Sequence, residues 1–143
     1  MPDKLLSPQE LAKISDEAEW ALIREHEKRK EKEEKEHKDL REAFMAREIH
    51  PQVMDRINNA VRTAAQRRDH EIQAFTFPAE FCNDRGRRIN NNEPDWPDSL
   101  EGFAKRAYEF YKKELHPAGY KARVQILDYP GGVPGTVAFY LSW

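Results

Sequence analysis

The chain has 143 residues, of which 38% are hydrophobic and 35% are charged, and its 26 acidic residues nearly balance its 24 basic ones. This balance excludes the strongly basic surface that dominates the affinity of many nucleic-acid-binding proteins. The lone cysteine excludes an internal disulfide framework. No segment has the length of apolar sequence that a membrane span or a signal peptide needs, so we expect a cytoplasmic protein.

Residues 1–48 are predicted to form a charged helical arm. Ser7, Pro8 and Glu10 have the pattern of a capping box at the start of a helix. From Arg24 to Asp39, sixteen residues contain no apolar side chain, glycine or proline. They are strong helix formers with Glu–Lys and Glu–Arg pairs four residues apart, which favours one continuous helix. A helix that is polar all round has no core to hold it, so its function is not that of an ordinary core helix.

The apolar residues of the arm are confined to its ends. Leu11, Ile14 and Leu22 recur at helical spacing before the polar run, and we treat them as candidate partner-binding residues. A coiled coil needs apolar a and d positions over three or four heptads, which the polar run does not offer. Three interpretations stay open: a solvated helix, self-association through the apolar ends, or docking on another protein.

Residues 49–143 are predicted to form a compact α+β domain. Alternation of apolar and polar residues indicates three strands, and the last two read as an antiparallel hairpin. A hairpin alone is marginally stable, so the first strand is expected to complete a small three-stranded sheet with helices on one face. Its alternation places Ile72, Ala74 and Thr76 together on one side. The predicted order is αβααββ: a helix from 53 to about 68, a strand at 70–77, a short helix within 79–90, a helix capped by Asp98 or Ser99, and strands at 120–126 and 136–143.

One cationic cluster predicts an alternative function in nucleic-acid binding. Arg85, Arg87 and Arg88 are close in sequence, and Lys121 and Arg123 lie on the exposed side of a predicted strand. Single-strand binders combine such basic grooves with aromatic stacking platforms, here offered by Tyr140 and Trp143. The competing interpretation is that the neighbouring aspartates and glutamates neutralise these cations as surface pairs.

A polar loop is the other candidate surface. Asn90, Asn91 and Asn92 precede Trp96, and loops carry function more often than cores do. Trp96 is therefore a candidate aromatic anchor for a partner. Alternatively, the asparagines form a turn between two helices and Trp96 packs the second helix on the core.

No motif in the sequence predicts catalysis, a metal site or a cofactor. The Pro130–Gly135 turn lacks the lysine and hydroxyl residue of a phosphate-binding loop, and the histidines lack the spacing of metal ligands. Cys82 shares a predicted helical face with Phe81 and Ile89, which indicates a core residue.

Three functions are therefore compared. The first is a non-enzymatic protein-interaction or scaffold protein whose arm sets spacing or oligomeric state. The second is an RNA- or single-stranded-DNA-binding module that uses the cationic cluster. The third is a small enzyme with an unrecognised site, for which a pocket near residues 90–96 would be the sign.

Overall fold

The computed structural model describes residues 5–143 and confirms an α+β protein with a long N-terminal helix and a three-stranded antiparallel sheet. Its contacts divide the chain into two units, one ending at Glu42 and one spanning Ala43–Trp143. The predicted division at residues 48 and 49 stays a prediction. The elements are α1 (Pro8–Ala46), α2 (Val53–Gln66), β1 (Glu71–Pro78), α3 (Arg87–Asn90), α4 (Gly102–Phe110), β2 (Lys121–Ile126) and β3 (Thr136–Ser142).

Helix α1 runs through the polar segment without a break. The predicted capping box is present: the Ser7 backbone N–H donates to Glu10 Oε2, and Ser7 Oγ accepts from the Glu10 N–H, both at 3.2 Å. No residue of α1 is buried, so local pairs and intrinsic propensity support it instead of a core. Within residues 5–143, no helix is both long and apolar enough to cross a bilayer. Ion pairs four residues apart along α1 are Glu25–Arg29, Lys32–Glu36 and Lys38–Glu42.

The three-stranded sheet has the order β1-β3-β2, with both pairings antiparallel. The last two strands form the predicted hairpin, and the first strand joins the sheet as expected. Strand β3 lies in the centre, where Val137, Phe139 and Leu141 are buried on the side that faces the helices. The other side carries exposed Gln73, Lys121 and other polar residues, which agrees with helices packed on one face.

A β-bulge corrects the predicted faces of β1. Gln73 pairs with Tyr140 and Phe75 pairs with Phe139, so Ala74 is an extra residue without a partner across the sheet. One inserted residue reverses the alternation from that point onward. Ile72 therefore shares the core face with Phe75 and Phe77, whereas the sequence analysis placed it with Ala74 and Thr76.

The short helix predicted within residues 79–90 is present and covers only the end of that range. A single 3-10 turn covers Ala79–Phe81, and helix α3 is limited to Arg87–Asn90. Between them Gly86 has a φ of 87°, a left-handed conformation that interrupts any right-handed helix. Asp84 accepts hydrogen bonds from the backbone N–H groups of Gly86 and Arg88, both at 3.0 Å, and so starts α3.

The predicted cap of the following helix was wrong. Helix α4 begins at Gly102 with Glu101 in the capping position, and residues 96–99 form a separate 3-10 turn. Ser99 is fully buried and its hydroxyl donates to the Trp96 carbonyl at 2.7 Å, so it closes that turn instead of capping α4. A π-helical turn, Tyr111–Leu115, continues α4 and buries Tyr111 and Leu115.

The last turn of α1 belongs to the second unit and is fixed there by α4. The Phe44 ring packs on Phe77 and Phe81, with centroid distances of 5.5 and 5.1 Å. Arg106 donates to the backbone carbonyls of Met45 at 2.8 Å and Arg47 at 3.0 Å, which satisfies oxygens that a helix end leaves unpaired. This clamp positions the segment that leads into α2.

Candidate functional site

A cavity lies inside the second unit. Its volume is about 220 Å³. The walls come from α2, α4, the π-helical turn, β1 and β3, and from the segment between α1 and α2. Five aromatic residues contribute to the lining: Phe75, Phe103, Phe110, Tyr111 and Phe139. An engineered apolar cavity of about 150 Å³ is large enough to bind benzene, so this space is sufficient for a single aromatic ring with a short substituent.

The polar lining of the cavity is cationic or neutral. Arg47, His50, Arg56 and Gln73 contribute the hydrophilic side chains, and none of the described lining residues is acidic. The Arg47 guanidinium is held 4.1 Å from the centre of the Phe103 ring, a cation–π contact that fixes positive charge at the wall. The nearby carboxylate of Glu48 lies 3.6 Å from Arg106 Nε and so pairs with a cation outside the lining.

His50 brings several hydrogen-bond donors together at the edge of this cavity. The Gln52 backbone N–H donates to His50 Nδ1 at 3.0 Å, and an Arg56 guanidinium nitrogen lies 3.2 Å from His50 Nε2. A neutral imidazole has one acceptor nitrogen and one N–H, so it cannot accept from both groups. With Nδ1 accepting, His50 Nε2–H and the Arg56 guanidinium are two donors that face each other at the exposed edge of the cavity.

No pattern in the sequence indicated this cavity or its polar groups. Its lining residues come from segments between Arg47 and Leu141 that only the tertiary fold brings together. A pocket near residues 90–96 was the predicted sign of an enzyme. None of those residues lines this cavity. Arg47, His50 and Arg56 are common residue types in an unremarkable spacing around Pro51, so no local signal identified them.

The structure places the predicted cationic residues in two separate groups. Helix α3 packs on the core side of β2, where Ile89 and Ile126 join the same core cluster. Lys121 and Arg123 belong to the opposite side of β2, because their positions alternate with the buried ones. Arg85, Arg87 and Arg88 therefore do not continue into one surface with Lys121 and Arg123.

Three of these five cations are engaged by carboxylates. Arg87 lies 3.2 Å from Glu93, and Arg88 lies 3.4 Å from Asp95 and 3.8 Å from Asp84. Arg123 makes two hydrogen bonds to Glu71, at 2.6 and 2.5 Å. Arg85 is exposed in a left-handed conformation with a φ of 59°, and Lys121 is exposed at the start of β2.

The Glu71–Arg123 pair is part of a polar network on the exposed face of the sheet. The Arg123 guanidinium lies 4.0 Å from the centre of the Tyr140 ring and also donates to Gln125 Oε1 at 2.9 Å. Its hydrogen bonds hold the pKa of the Glu71 carboxyl below its usual value. The same bonds raise the pKa of Arg123. The network uses the donors of Arg123 within the fold.

The asparagine loop and Trp96 are tied into the second unit. Asn90 Oδ1 accepts from the Tyr129 hydroxyl at 2.7 Å, Asn91 follows the end of α3, and Asn92 has a φ of 54°. The half-buried Trp96 ring packs against Tyr108 at 5.3 Å and Phe139 at 6.4 Å between centroids. These contacts connect the loop to α4 and β3.

The predicted partner-binding residues of α1 are all exposed. Leu11, Ile14 and Leu22 retain 49%, 51% and 66% of their surface accessible to solvent. Trp20, on roughly the opposite side of the same helix, and Ile23 are also exposed. The helix therefore carries large apolar side chains that its own unit leaves in contact with water.

Among the described residues, no arrangement of groups supports thiol chemistry or metal binding. Cys82 is buried in the core, as predicted, and burial raises the pKa of its thiol to about 12, so the reactive thiolate is strongly disfavoured. Within residues 5–143, no group of three or more histidine, cysteine, aspartate or glutamate side chains is placed to hold a metal ion.

No protein family, curated protein or solved structure matches the chain.

Proposed function

We propose that this chain is a non-enzymatic protein-interaction module that self-associates through the first half of α1. The observation that carries the proposal is the exposure of Leu11, Ile14 and Leu22 on a helix that buries none of its residues. Exposed apolar side chains are ordinary when scattered singly. Here they recur on one side of a helix, which is the pattern of a surface that pairs with another helix.

A second copy of the same helix is the partner that fits this stripe. Leu11, Ile14, Ala18 and Leu22 follow one another at intervals of three and four residues and cover about 16 Å of helix. An isologous pair brings the same patch together from both copies, so the two stripes match in length and width. The polar residues from Arg24 onward limit the contact to this short region, since they offer no apolar a or d positions.

The charges that flank the stripe favour an antiparallel pair. An antiparallel alignment centred between Asp16 and Glu17 sets Leu11 opposite Leu22 of the second copy and Ile14 within one residue of its Ala18. The same alignment brings Glu10 close to Arg24 of the second copy, an attraction between opposite charges. In a parallel alignment these two residues are far apart, and Glu17 faces the apolar Leu22. The proposed assembly is therefore a weak antiparallel dimer in which α1 sets the oligomeric state.

Two further points concern location and nucleic acids. A cytoplasmic location is supported by the single cysteine, a free and buried thiol. Nucleic-acid binding is left out of the proposal, because Arg87, Arg88 and Arg123 are paired with carboxylates and lie on two different sides of β2.

The test is the molar mass of the full-length chain in solution, measured by light scattering and sedimentation over a range of concentrations. We expect a mass that rises with concentration above the 16.8 kDa of one chain. The double variant Ile14→Glu with Leu22→Glu is expected to stay monomeric, since it places charges inside the contact. The matched control, Gln9→Glu with Lys30→Gln, changes net charge equally on polar positions of α1 and is expected to behave as the unaltered chain does. A monomer at every concentration contradicts the proposal, as does equal dissociation of the control.

A further inference from the structure

The cavity in the second unit has chemistry that the proposed self-association does not use. It combines an aromatic interior with a cationic edge, and the described lining residues include two arginines, one histidine and no acid. Ligand sites typically join an apolar pocket to a few convergent polar groups that fix the orientation of the ligand. The cavity therefore has the layout of a small-molecule site.

The cationic edge identifies the charge of the ligand. Arg56 and His50 Nε2 present hydrogen-bond donors 3.2 Å apart, because His50 Nδ1 already accepts from the Gln52 N–H. Two adjacent donors are both satisfied by one acceptor with two oxygens, which is the geometry of a carboxylate. Arg47, stacked on Phe103, adds a second fixed positive charge to the lining. A cationic ligand would meet repulsion here, and a neutral one would leave these donors without the charged acceptor they favour.

The aromatic interior of the cavity indicates which apolar group the ligand carries. Aromatic rings such as Phe75, Phe103 and Phe139 prefer edge-to-face or offset contacts with another ring. The volume of about 220 Å³ accommodates one ring and a short chain. We propose that this cavity binds a monocyclic aromatic carboxylate, with the ring between the sheet and α4 and the carboxylate at Arg56 and His50.

The experiment uses the full-length chain and three probes, measured by titration calorimetry and by chemical-shift perturbation. The probes are 3-phenylpropionate, the neutral 3-phenylpropan-1-ol and acetate. We expect saturable binding of 3-phenylpropionate with a dissociation constant below about 1 mM, and binding of the alcohol weaker by about tenfold or more. Acetate, which lacks the ring, is expected to show no saturable binding. These comparisons need no variant, so they decide the proposal even if a substitution impairs folding.

Variants then locate the site. Arg56→Gln is expected to weaken 3-phenylpropionate by about tenfold and leave the alcohol unchanged. Arg62→Gln, on the same helix but outside the lining, is the matched control and is expected to change neither. Ala107→Leu fills the interior and is expected to weaken both aromatic probes, whereas Ala65→Leu, at an exposed position outside the lining, is expected to weaken neither.

Several results would overturn the proposal. They are the absence of saturable 3-phenylpropionate binding, equal affinity for acid and alcohol, and binding to Ala107→Leu that matches the unaltered chain. An equal loss in Arg62→Gln and Arg56→Gln would show that the acid responds to overall charge and not to this cavity. Self-association is measured independently by molar mass, so either proposal can fail without the other.

Discussion

Individual side chains in the second unit ionise according to their surroundings, and Cys82 is the most strongly affected of those described. Burial raises the pKa of its thiol to about 12 from 9.0, and the negative charges of Asp84 and Glu101 act in the same direction, while a hydrogen bond with Ser99 opposes them. Between pH 9 and about pH 12, the Cys82 thiol therefore keeps its proton in the folded chain and has lost it in the unfolded chain. The contribution of Cys82 to stability is complete below pH 9 and is lost as the pH rises.

The reactivity of this thiol provides the first prediction. At pH 8, the thiolate fraction of Cys82 in the folded chain should be lower than in the unfolded chain by roughly a thousandfold, because three pH units separate the two pKa values. A disulfide reagent such as dithionitrobenzoate should therefore react slowly with the native protein and rapidly in guanidinium chloride. Equal rates in the two conditions would show that the thiol is accessible and ionises normally.

The pKa of Glu71, which pairs with Arg123, is shifted in the opposite direction to that of Cys82. The pKa of Glu71 is lowered by its hydrogen bonds with Arg123, so the pair stabilises the fold above the ordinary pKa of a glutamate. This contribution is lost as the pH falls through the lowered pKa. Both side chains are partly exposed, at 32% for Glu71 and 48% for Arg123, so solvent screening limits the contribution to about 1 kcal/mol or less.

The corresponding prediction concerns Arg123→Gln. This variant should lower the free energy of unfolding at neutral pH by about 1 kcal/mol, through loss of the ion pair and of the stacking on Tyr140. The difference from the unaltered chain should shrink at acidic pH, as the pH falls through the lowered pKa of Glu71 and its carboxylate becomes protonated. Urea unfolding at neutral and at acidic pH measures it. Lys121→Gln, on the same side of β2, is the control, and a difference for Arg123→Gln that does not depend on pH would argue against the pair.

At the scale of elements, the junction of α1 with α4 depends on one glycine. Gly102 begins α4 with a φ of 55°, a left-handed conformation that a side chain disfavours. A Cβ placed there would lie 2.8 Å from the Met45 Cα and 3.0 Å from the Phe44 carbonyl oxygen, both backbone atoms that cannot rotate away.

Gly102→Ala should therefore lower the free energy of unfolding by about 2–4 kcal/mol, through backbone strain combined with steric overlap. Gly131→Ala is a matched control, since Gly131 has a φ of 63° but a Cβ there would have no neighbour within 4 Å. Strain alone should cost it about 1–2 kcal/mol. Denaturant unfolding of the two variants measures the difference. Equal losses would mean that the close approach of α1 and α4 does not contribute.

The elements that periodicity identified are those that pair or pack regularly. Strand β3 was predicted with the correct faces because Val137, Phe139 and Leu141 alternate without interruption and it lies between two partners. Strand β1 was predicted in position but with the wrong face for Ile72, because the extra residue at Ala74 exists only relative to β3. The short helix predicted within 79–90 is limited to Arg87–Asn90, because Gly86 directly before it adopts a left-handed conformation.

The two candidate sites also differ in whether the sequence alone could predict them. The exposed stripe at Leu11, Ile14 and Leu22 follows from spacing within one helix, so the sequence was sufficient to find it. The cavity and the donors at His50 and Arg56 depend on the packing of α2 and α4 against the sheet. The residues that line the cavity are distant from one another in sequence and are of common types. No local sequence pattern therefore predicts that they enclose one cavity.

At the scale of the whole molecule, the two units differ in what stabilises them. Residues 8–42 of α1 are all exposed, and their ion pairs lie at 3.9–4.0 Å with side chains mostly exposed, so each contributes only a few tenths of a kcal/mol. The second unit has a continuous core that includes Phe77, Phe81, Leu100 and Val137. Local opening should thus require little free energy in α1 and nearly the full unfolding free energy in β3.

Hydrogen exchange on the full-length chain tests this contrast together with the proposed dimer. Amides of residues 24–39 should exchange fast at every protein concentration, because neither a core nor a partner covers them. Amides of residues 8–23 should become more protected as the concentration rises, since association of their apolar stripes opposes local opening. Amides of β3 should be the slowest and independent of concentration. Uniform protection along α1, or protection of residues 8–23 that ignores concentration, would mean that something other than a second copy of this helix covers the stripe.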